Sequence, residues 1–423
     1  MRTICLVFLV LLAGVIVGLR AEPFRTDINP ALQYYQAFIL APDLAQADRD
    51  YLFTNEWRGQ RLPQRFGELL GRYNNQFTLV RHAAYATVPC DWGIDMSPGP
   101  ATLLPGLARN KVIVQSARLR AMWFLQHGQQ AEAAEDLMAA FALARNSSHD
   151  GTLISVLVQI ACENILSAAV AENYYQLAPE TLKRIADGFE AAPVRGTVAG
   201  CIATERAFFH DWLKRRIFVL QKENAGDEVK TMCSLRELIE GIEGGTEGDN
   251  SQIRPNLWDR VLKASGGTSA GVLSLIVDEE LFYEKLSAIL DLPQREYETQ
   301  VKDFNEGVKK SSNPFVSQMF SPWEKCRAKE FASVVRLAMV RAAAEYKLHG
   351  EDGLRSVLDP YSEAPFEFGR FVFEGVDRGF ELKSPYAGRG AQELMIFVAK
   401  DGPPFSVNSK TENRAAVGSS TAK

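Results

Sequence analysis

The 423-residue sequence predicts a mainly α protein of irregular antiparallel helical hairpins, closed by a small antiparallel β module near the C-terminus. Three observations carry this. From Leu107 onward apolar residues recur with a sustained 3.6-residue period, the signature of helices with one buried face. The stretch Thr152–Tyr174 is apolar on nearly every side, which requires burial. After Asp359-Pro360 the texture changes to short runs, Phe366, Phe368, Phe371 and Phe373, then Phe380 and Leu382, then Leu394–Val398, separated by turn residues, as in short strands.

Residues 1–21 read as an export signal or membrane anchor. Met1-Arg2-Thr3 precedes an apolar run from Ile4 to Leu19, and Arg20, Glu22 and Arg25 follow it. As a helix the run spans about 24 Å, short of the ~30 Å hydrocarbon core. A cut after Ala21 would meet Leu19 two places earlier, where a small residue is preferred, so both a cleaved leader and a retained anchor are expected readings. With Arg2 inside, the chain beyond is expected outside the cytoplasm, touching membrane only through residues 4–19.

Residues 22–240 form the expected first helical unit. Asn29-Pro30 is a helix start for Ala31–Leu40, and Pro42 stops it. Pro89–Pro105 is a turn-rich connection, because four prolines and two glycines there forbid a long regular element. In the group Cys90-Asp91-Trp92-Gly93, Trp92 is expected to plug this loop onto the helical body while Gly93 makes the turn; ligand contact in an interhelical pocket near Trp92 is the alternative. Gln159, Glu163 and Asn164 interrupt the apolar helix, and those side chains are costly in lipid, so it reads as the central core helix. Helices follow from Pro179 to about Glu190 and from Val198 to Leu220. On the latter, Glu205, Arg206, His210 and Asp211 form a polar group expected at the surface or in a cap.

The acidic, glycine-rich passage 241–255 reads as a linker or loop. Residues 256–358 make a second helical segment packed on the first, through Val272–Leu290, Glu296–Lys310 and Trp323–Leu348. Residues 359–400 are the β-rich module, and 401–423 a polar, disordered tail.

Few chemical motifs are present. Gly267-Thr268-Ser269-Ala270-Gly271 fits G-x-S-x-G, and Asp291 and His349 follow in the order of a hydrolase triad. That elbow needs a strand before it, whereas Trp258–Ala264 is charged and helix-like. A helix-to-helix turn whose Ser and Thr cap the next helix is therefore expected. The five histidines, His82, His127, His149, His210 and His349, form no H-E-x-x-H, and no phosphate-binding glycine loop occurs. No catalytic, cofactor-binding or metal-binding residue is assigned. A net charge of −5 gives no basic field for nucleic acid. Cys90, Cys162, Cys201, Cys233 and Cys326 make no C-x-x-C pair; export would permit disulfides, but Cys162 is expected as a buried thiol.

Three resemblances accompany these readings. Phe124, Gly128, Ala133, Leu137 and Ala140 stand at the spacing of a helix-turn-helix core, and the unit resembles one tetratricopeptide repeat over about 30 residues. It departs from the motif at Arg120 and Arg145, where Leu and Pro are preferred, and no second copy follows. Tyr346–Gly350, Leu354, Leu358, Asp359-Pro360-Tyr361, Pro365–Phe368 and Phe380-Glu381-Leu382 are similar in order to the end of type II secretion major pseudopilins, although Ile4–Leu19 lacks the glutamate of their processing site. Taken whole, the order of Asn29–Leu40, Cys90-Asp91-Trp92-Gly93, Thr152-Leu153-Ile154-Ser155 and the Asp359-Pro360 turn looks like a group of uncharacterised bacterial envelope proteins. Absent a catalytic signature, the expectation is a non-enzymatic exported or membrane-anchored protein whose helical surface binds a protein partner; a serine hydrolase using Ser269 is the alternative.

Overall fold

The Asn29 side chain accepts a hydrogen bond from the Ala31 amide, and Pro30 fixes the first turn of α1 (Pro30–Ile39). In the computed structural model, which describes residues 27–244, 256–388 and 390–398, this helix begins a run of short hairpins. It continues with α2 (Gln46–Phe53), α3 (Gln64–Gly71) and α4 (Asn74–Ala84). After the 89–105 connection come α5 (Gly106–Gln126), α6 (Gln130–Asn146), α7 (Leu153–Glu172) and α8 (Pro179–Glu190). The run Ile4–Leu19, residues 245–255 and the tail 401–423 lie outside the described residues.

α5 and α6 form an antiparallel hairpin that turns at Gly128 (φ +72°), a left-handed conformation that favours glycine. Ala133, Leu137 and Ala140 are buried at its centre, and small side chains let the two helices approach. The two arginines that depart from the repeat pattern are also held inside. Arg120 donates to Asp136 at 2.7 Å and to the Leu70 carbonyl, and Arg145 lies 2.7 Å from Glu163.

Among the described residues α7 is the one helix long and apolar enough to cross a membrane. It nevertheless runs through protein: Gln159 and Glu163 are fully buried, and the helix packs on α5, α6, the last helix and the sheet. Thr152 caps it by accepting from the Ser155 amide.

The stretch expected as one helix from Val198 to Leu220 is interrupted. A 3₁₀ turn (Ala199–Cys201) leads into α9 (Ile202–Glu205), a π-helical turn (Arg206–Asp211) and α10 (Trp212–Glu223). α11 (Glu228–Gly244) carries helix four residues into the passage expected as a linker. α12 (Leu257–Ala264), α13 (Ser269–Asp278), α14 (Glu280–Leu290), α15 (Gln294–Lys310) and α16 (Pro314–Phe320) follow. Val156 and Ile160 of α7 share one apolar cluster with Tyr283, Leu286, Val301 and Phe320, so the second helical segment is packed on the first.

α17 (Trp323–Ser356) joins everything. Its first turn enters that cluster through Trp323 and Cys326, and Phe331–Ala344 enters the main core with α1–α8. Gly350, at φ +64° and ψ −147°, kinks it near its end. The predicted β module is a three-stranded antiparallel sheet in the order β1 (Glu367–Phe373), β2 (Val376–Lys383), β3 (Leu394–Val398). Its inner face is aromatic: Phe380 stacks on Phe397 at 4.8 Å, and Tyr174 of the turn after α7 meets both rings edge-on.

Candidate functional site

Three polar sites and one exposed edge stand out. The first surrounds Glu163, which is inaccessible to solvent on α7. Arg145 of α6 lies 2.7 Å from its Oε1, Arg195 donates to Oε2 at 2.7 Å, and the Ser333 hydroxyl of α17 donates to Oε2 at 2.8 Å. One turn away, the Gln159 oxygen accepts from Ser148 and the Gly196 amide. Glu330 of α17 accepts from the Val198 amide and from Arg327. Because a buried charge must be paired and hydrogen-bonded, these contacts fix the 191–198 loop between α7 and α17. Sequence reading recognised Gln159 and Glu163 as unsuited to lipid but had no signal for their distant partners.

The second site is the Trp92 loop. The Trp92 indole donates to the Asn146 carbonyl at 2.7 Å and stacks on Tyr34 and Phe38, while Tyr35 donates to the Trp92 carbonyl. The Asn29 side chain grips the Asp91 backbone on both sides, and Gly93 takes φ +61°. Trp92 therefore plugs the loop onto the helical body. A surface cavity of about 50 Å³ lies elsewhere, between Trp57, Gln115, Arg118 and Leu119, and is far smaller than the roughly 300–1,000 Å³ of ordinary small-molecule sites.

The third site is the π turn. His210, expected at the surface or in a cap, is fully buried. The wide turn inserts an extra residue, so counting at 3.6 from Ile202 places everything beyond it on the wrong face. His210 Nε2 lies 2.9 Å from the Ile276 carbonyl and Nδ1 2.8 Å from Asp211 Oδ1. Both contacts are to oxygens, and they hold the ring in place between α13 and the π turn. Its ring meets that of Tyr283 edge-on at 5.8 Å. Below Tyr283 sits Glu279, fully buried at the junction of α13 and α14, with neither carboxylate oxygen hydrogen-bonded. Burial pushes its pKa up to about 8, since a charge without partners is disfavoured in a low-dielectric interior. Glu205, also raised by burial, accepts from the Leu153 amide at the start of α7.

Ser269 is buried at the first position of α13, where Thr268 is the N-cap and accepts from the Gly271 amide. Its hydroxyl donates to Glu228 at 2.9 Å and accepts from Gln221, and its amide also donates to Glu228. Asp291 is an exposed cap of α14, and His349 lies 3.6 Å from Glu345 on α17. The three residues of the hydrolase pattern are not joined by hydrogen bonds. Among the described residues Cys90, Cys162, Cys201, Cys233 and Cys326 are free thiols; burial pushes those of Cys90 and Cys162 up to about 12 and raises Cys201 and Cys326, which keeps these four as inert thiols at neutral pH.

The exposed edge is β1. Among the described residues its one strand neighbour is β2, with a bulge between Phe371 and Val372. Val372 and Phe368 of β1 are 56% and 40% exposed, and Val376 at the start of β2 is 46% exposed. No sequence signal separated this outer strand from the packed β3, since both are short and apolar. Compared with known proteins, the chain matches no family model, no curated protein and no solved structure.

Proposed function

We propose that this chain is a non-enzymatic protein, exported or held at a membrane by residues 4–19, that serves as a scaffold for a protein partner. What carries the reading is that Ser269 and His210, the reactive-type side chains singled out in the sequence, are each held by other groups of the body. Ser269 is held by Glu228 and Gln221, and His210 by Asp211 and the Ile276 carbonyl. Large apolar side chains stand outside on the same frame, Ile39, Leu103 and Val194 each being more than three-quarters exposed. Where such exposed apolar positions adjoin one another they suit recognition of another protein.

Crosslinking in intact cells, followed by purification and mass spectrometry, tests the proposal. A specific protein neighbour recovered in the membrane or extracytoplasmic fraction is expected. Finding no protein neighbour, or finding the chain in the cytosol, would overturn it. Labelling by a fluorophosphonate that vanishes in Ser269→Ala would favour the hydrolase instead.

A further inference from the structure

We propose that the outer face of α10 is a lipid-contacting surface and that its occupant is an anionic membrane, into whose headgroup layer Phe218 and Val219 insert. The inference goes beyond the scaffold reading. It adds a second membrane contact to the one expected of residues 4–19 and leaves the protein partner to other positions.

α10 is held to the body on one side. Leu213, Ile217 and Leu220 are buried at the i, i+4, i+7 spacing of one helix face, in an apolar cluster with Leu235, Val261 and Ile276. The opposite face of such a helix is ordinarily polar. Here it runs Arg215, Phe218, Val219, Lys222, at i, i+3, i+4 and i+7, and all four side chains are exposed, Phe218 by 52%. Past the turn that follows, Val229 in the first turn of α11 is 75% exposed. Aromatic and branched side chains thus stand outside between two cations, the composition of helices that lie in a membrane interface.

Charge selects the occupant. Trp212–Lys222 holds the cations Lys214, Arg215, Arg216 and Lys222 and no acid. Lys214 is paired with Glu280 at 3.0 Å and Arg216 with Glu223 at 3.5 Å, whereas Arg215 and Lys222 form no ion pair among the described residues. The acids at either end are engaged: Asp211 by His210, Asp227 by Lys230, and Glu228 by the Ser269 amide and hydroxyl. Because the chain carries −5 overall, attraction to an anionic surface has to come from a local face such as this one, and that face sets the orientation. An acidic peptide shares the charge but fits the shape less well. Peptides are gripped by pockets and grooves, whereas Phe218 and Val229 project, as side chains that enter the boundary of headgroups and acyl chains do. Arginine and lysine beside them can lay their stems on the apolar side chains and keep their charge among the headgroups.

The test uses the full chain with vesicles of phosphatidylcholine alone or of phosphatidylcholine with phosphatidylglycerol. Lysine acetylation by an N-hydroxysuccinimide ester, read by mass spectrometry, reports the face locally. On the anionic vesicles Lys222 should react about fivefold or more slowly than on the neutral ones, the effect expected of a cation held at an anionic surface. Salt should restore its rate, and Lys309 on α15, exposed and outside this face, should react alike on both. Phe218→Ser with Val219→Ser, and separately Arg215→Glu, should each return Lys222 to its rate on neutral vesicles without moving the melting temperature. Equal Lys222 rates on the two vesicles, or protection that survives both variants, would overturn the proposal. Protection by soluble polyglutamate equal to that by vesicles would overturn it too, and assign the face to an acidic protein. Since the readout sits at Lys222, attachment through residues 4–19 does not mask it. The crosslinking experiment fails separately: no captured neighbour with a lipid-shielded Lys222 removes the scaffold and keeps this face, and a captured neighbour with Lys222 freely acetylated does the reverse.

Discussion

Ser333 and Glu163 meet at 2.8 Å across 170 positions of sequence, in a site closed to solvent. With Arg145 and Arg195 on the same carboxylate, this contact ties α17 to α7 and α6. Removing one member of a buried ion group leaves the others uncompensated, at a cost of about 3–5 kcal/mol. Glu163→Ala should therefore lower stability by about that amount, and Glu163→Gln by less because the amide still meets Ser333. Urea unfolding of both variants checks this, and a wild-type midpoint for Glu163→Ala would refute it.

Glu279 gives stability a pH slope. Its carboxyl titrates near 4.5 when solvated and at about 8 in the fold, so the folded state holds the proton more tightly. The contribution is fully present below pH 4.5, declines as pH rises, and is lost above about 8. Glu279→Gln stays neutral throughout. Relative to that variant, wild type should lose on the order of 3 kcal/mol between pH 5 and pH 8, at about 1.36 kcal/mol per unit. Parallel stability curves for the two proteins would sink the assignment.

Trp92→Ala removes a buried indole from three aromatic neighbours and strips the Asn146 carbonyl of its donor. A loss of about 3–5 kcal/mol is expected. Limited proteolysis should then cut within 89–105 before anywhere in α5–α7. Cleavage elsewhere first would contradict the plug.

Gly379 has φ +141°, and a Cβ there would lie 2.0 Å from the Phe397 carbonyl oxygen. Gly379→Ala should thus force β2 and β3 apart, at about 1–3 kcal/mol for overpacking alone. Near-ultraviolet circular dichroism should report loosening of the Tyr174, Phe380 and Phe397 rings. An unchanged spectrum and melting temperature would count against the tight strand pairing.

Ser269→Ala should leave fluorophosphonate labelling at background, as in wild type, and cost about 0.5–1.5 kcal/mol, since the exposed Glu228 loses one donor and keeps the Ser269 amide. Labelling of wild type alone would reverse the assignment of this turn.

Local chemistry made much of the fold legible. Asn29-Pro30, Thr152 and Pro179 announce helix starts because capping acts within a few residues. The sheet followed from aromatic runs bounded by turns. The π turn was not legible, since nothing in Arg206–Asp211 distinguishes five-residue from four-residue hydrogen bonding before His210 is packed. The Glu163 group was not legible either: Arg195 and Ser333 reach it from 32 and 170 positions away, and periodicity reports a face, not a partner. The same limit hid Glu279, whose isolation is a property of what surrounds it.

α17 also sets a schedule. A chain made from its N-terminus completes α7 long before Trp323–Ser356 exists to cover it, and at roughly 5–20 residues per second the interval is about 10–30 s. Throughout that wait the apolar flank of α7 has no lid, and Glu163 lacks its last donor. The nascent chain is thus most exposed to misassociation in the middle of its synthesis. A holdase chaperone that releases on arrival of α17 would shield it for that interval.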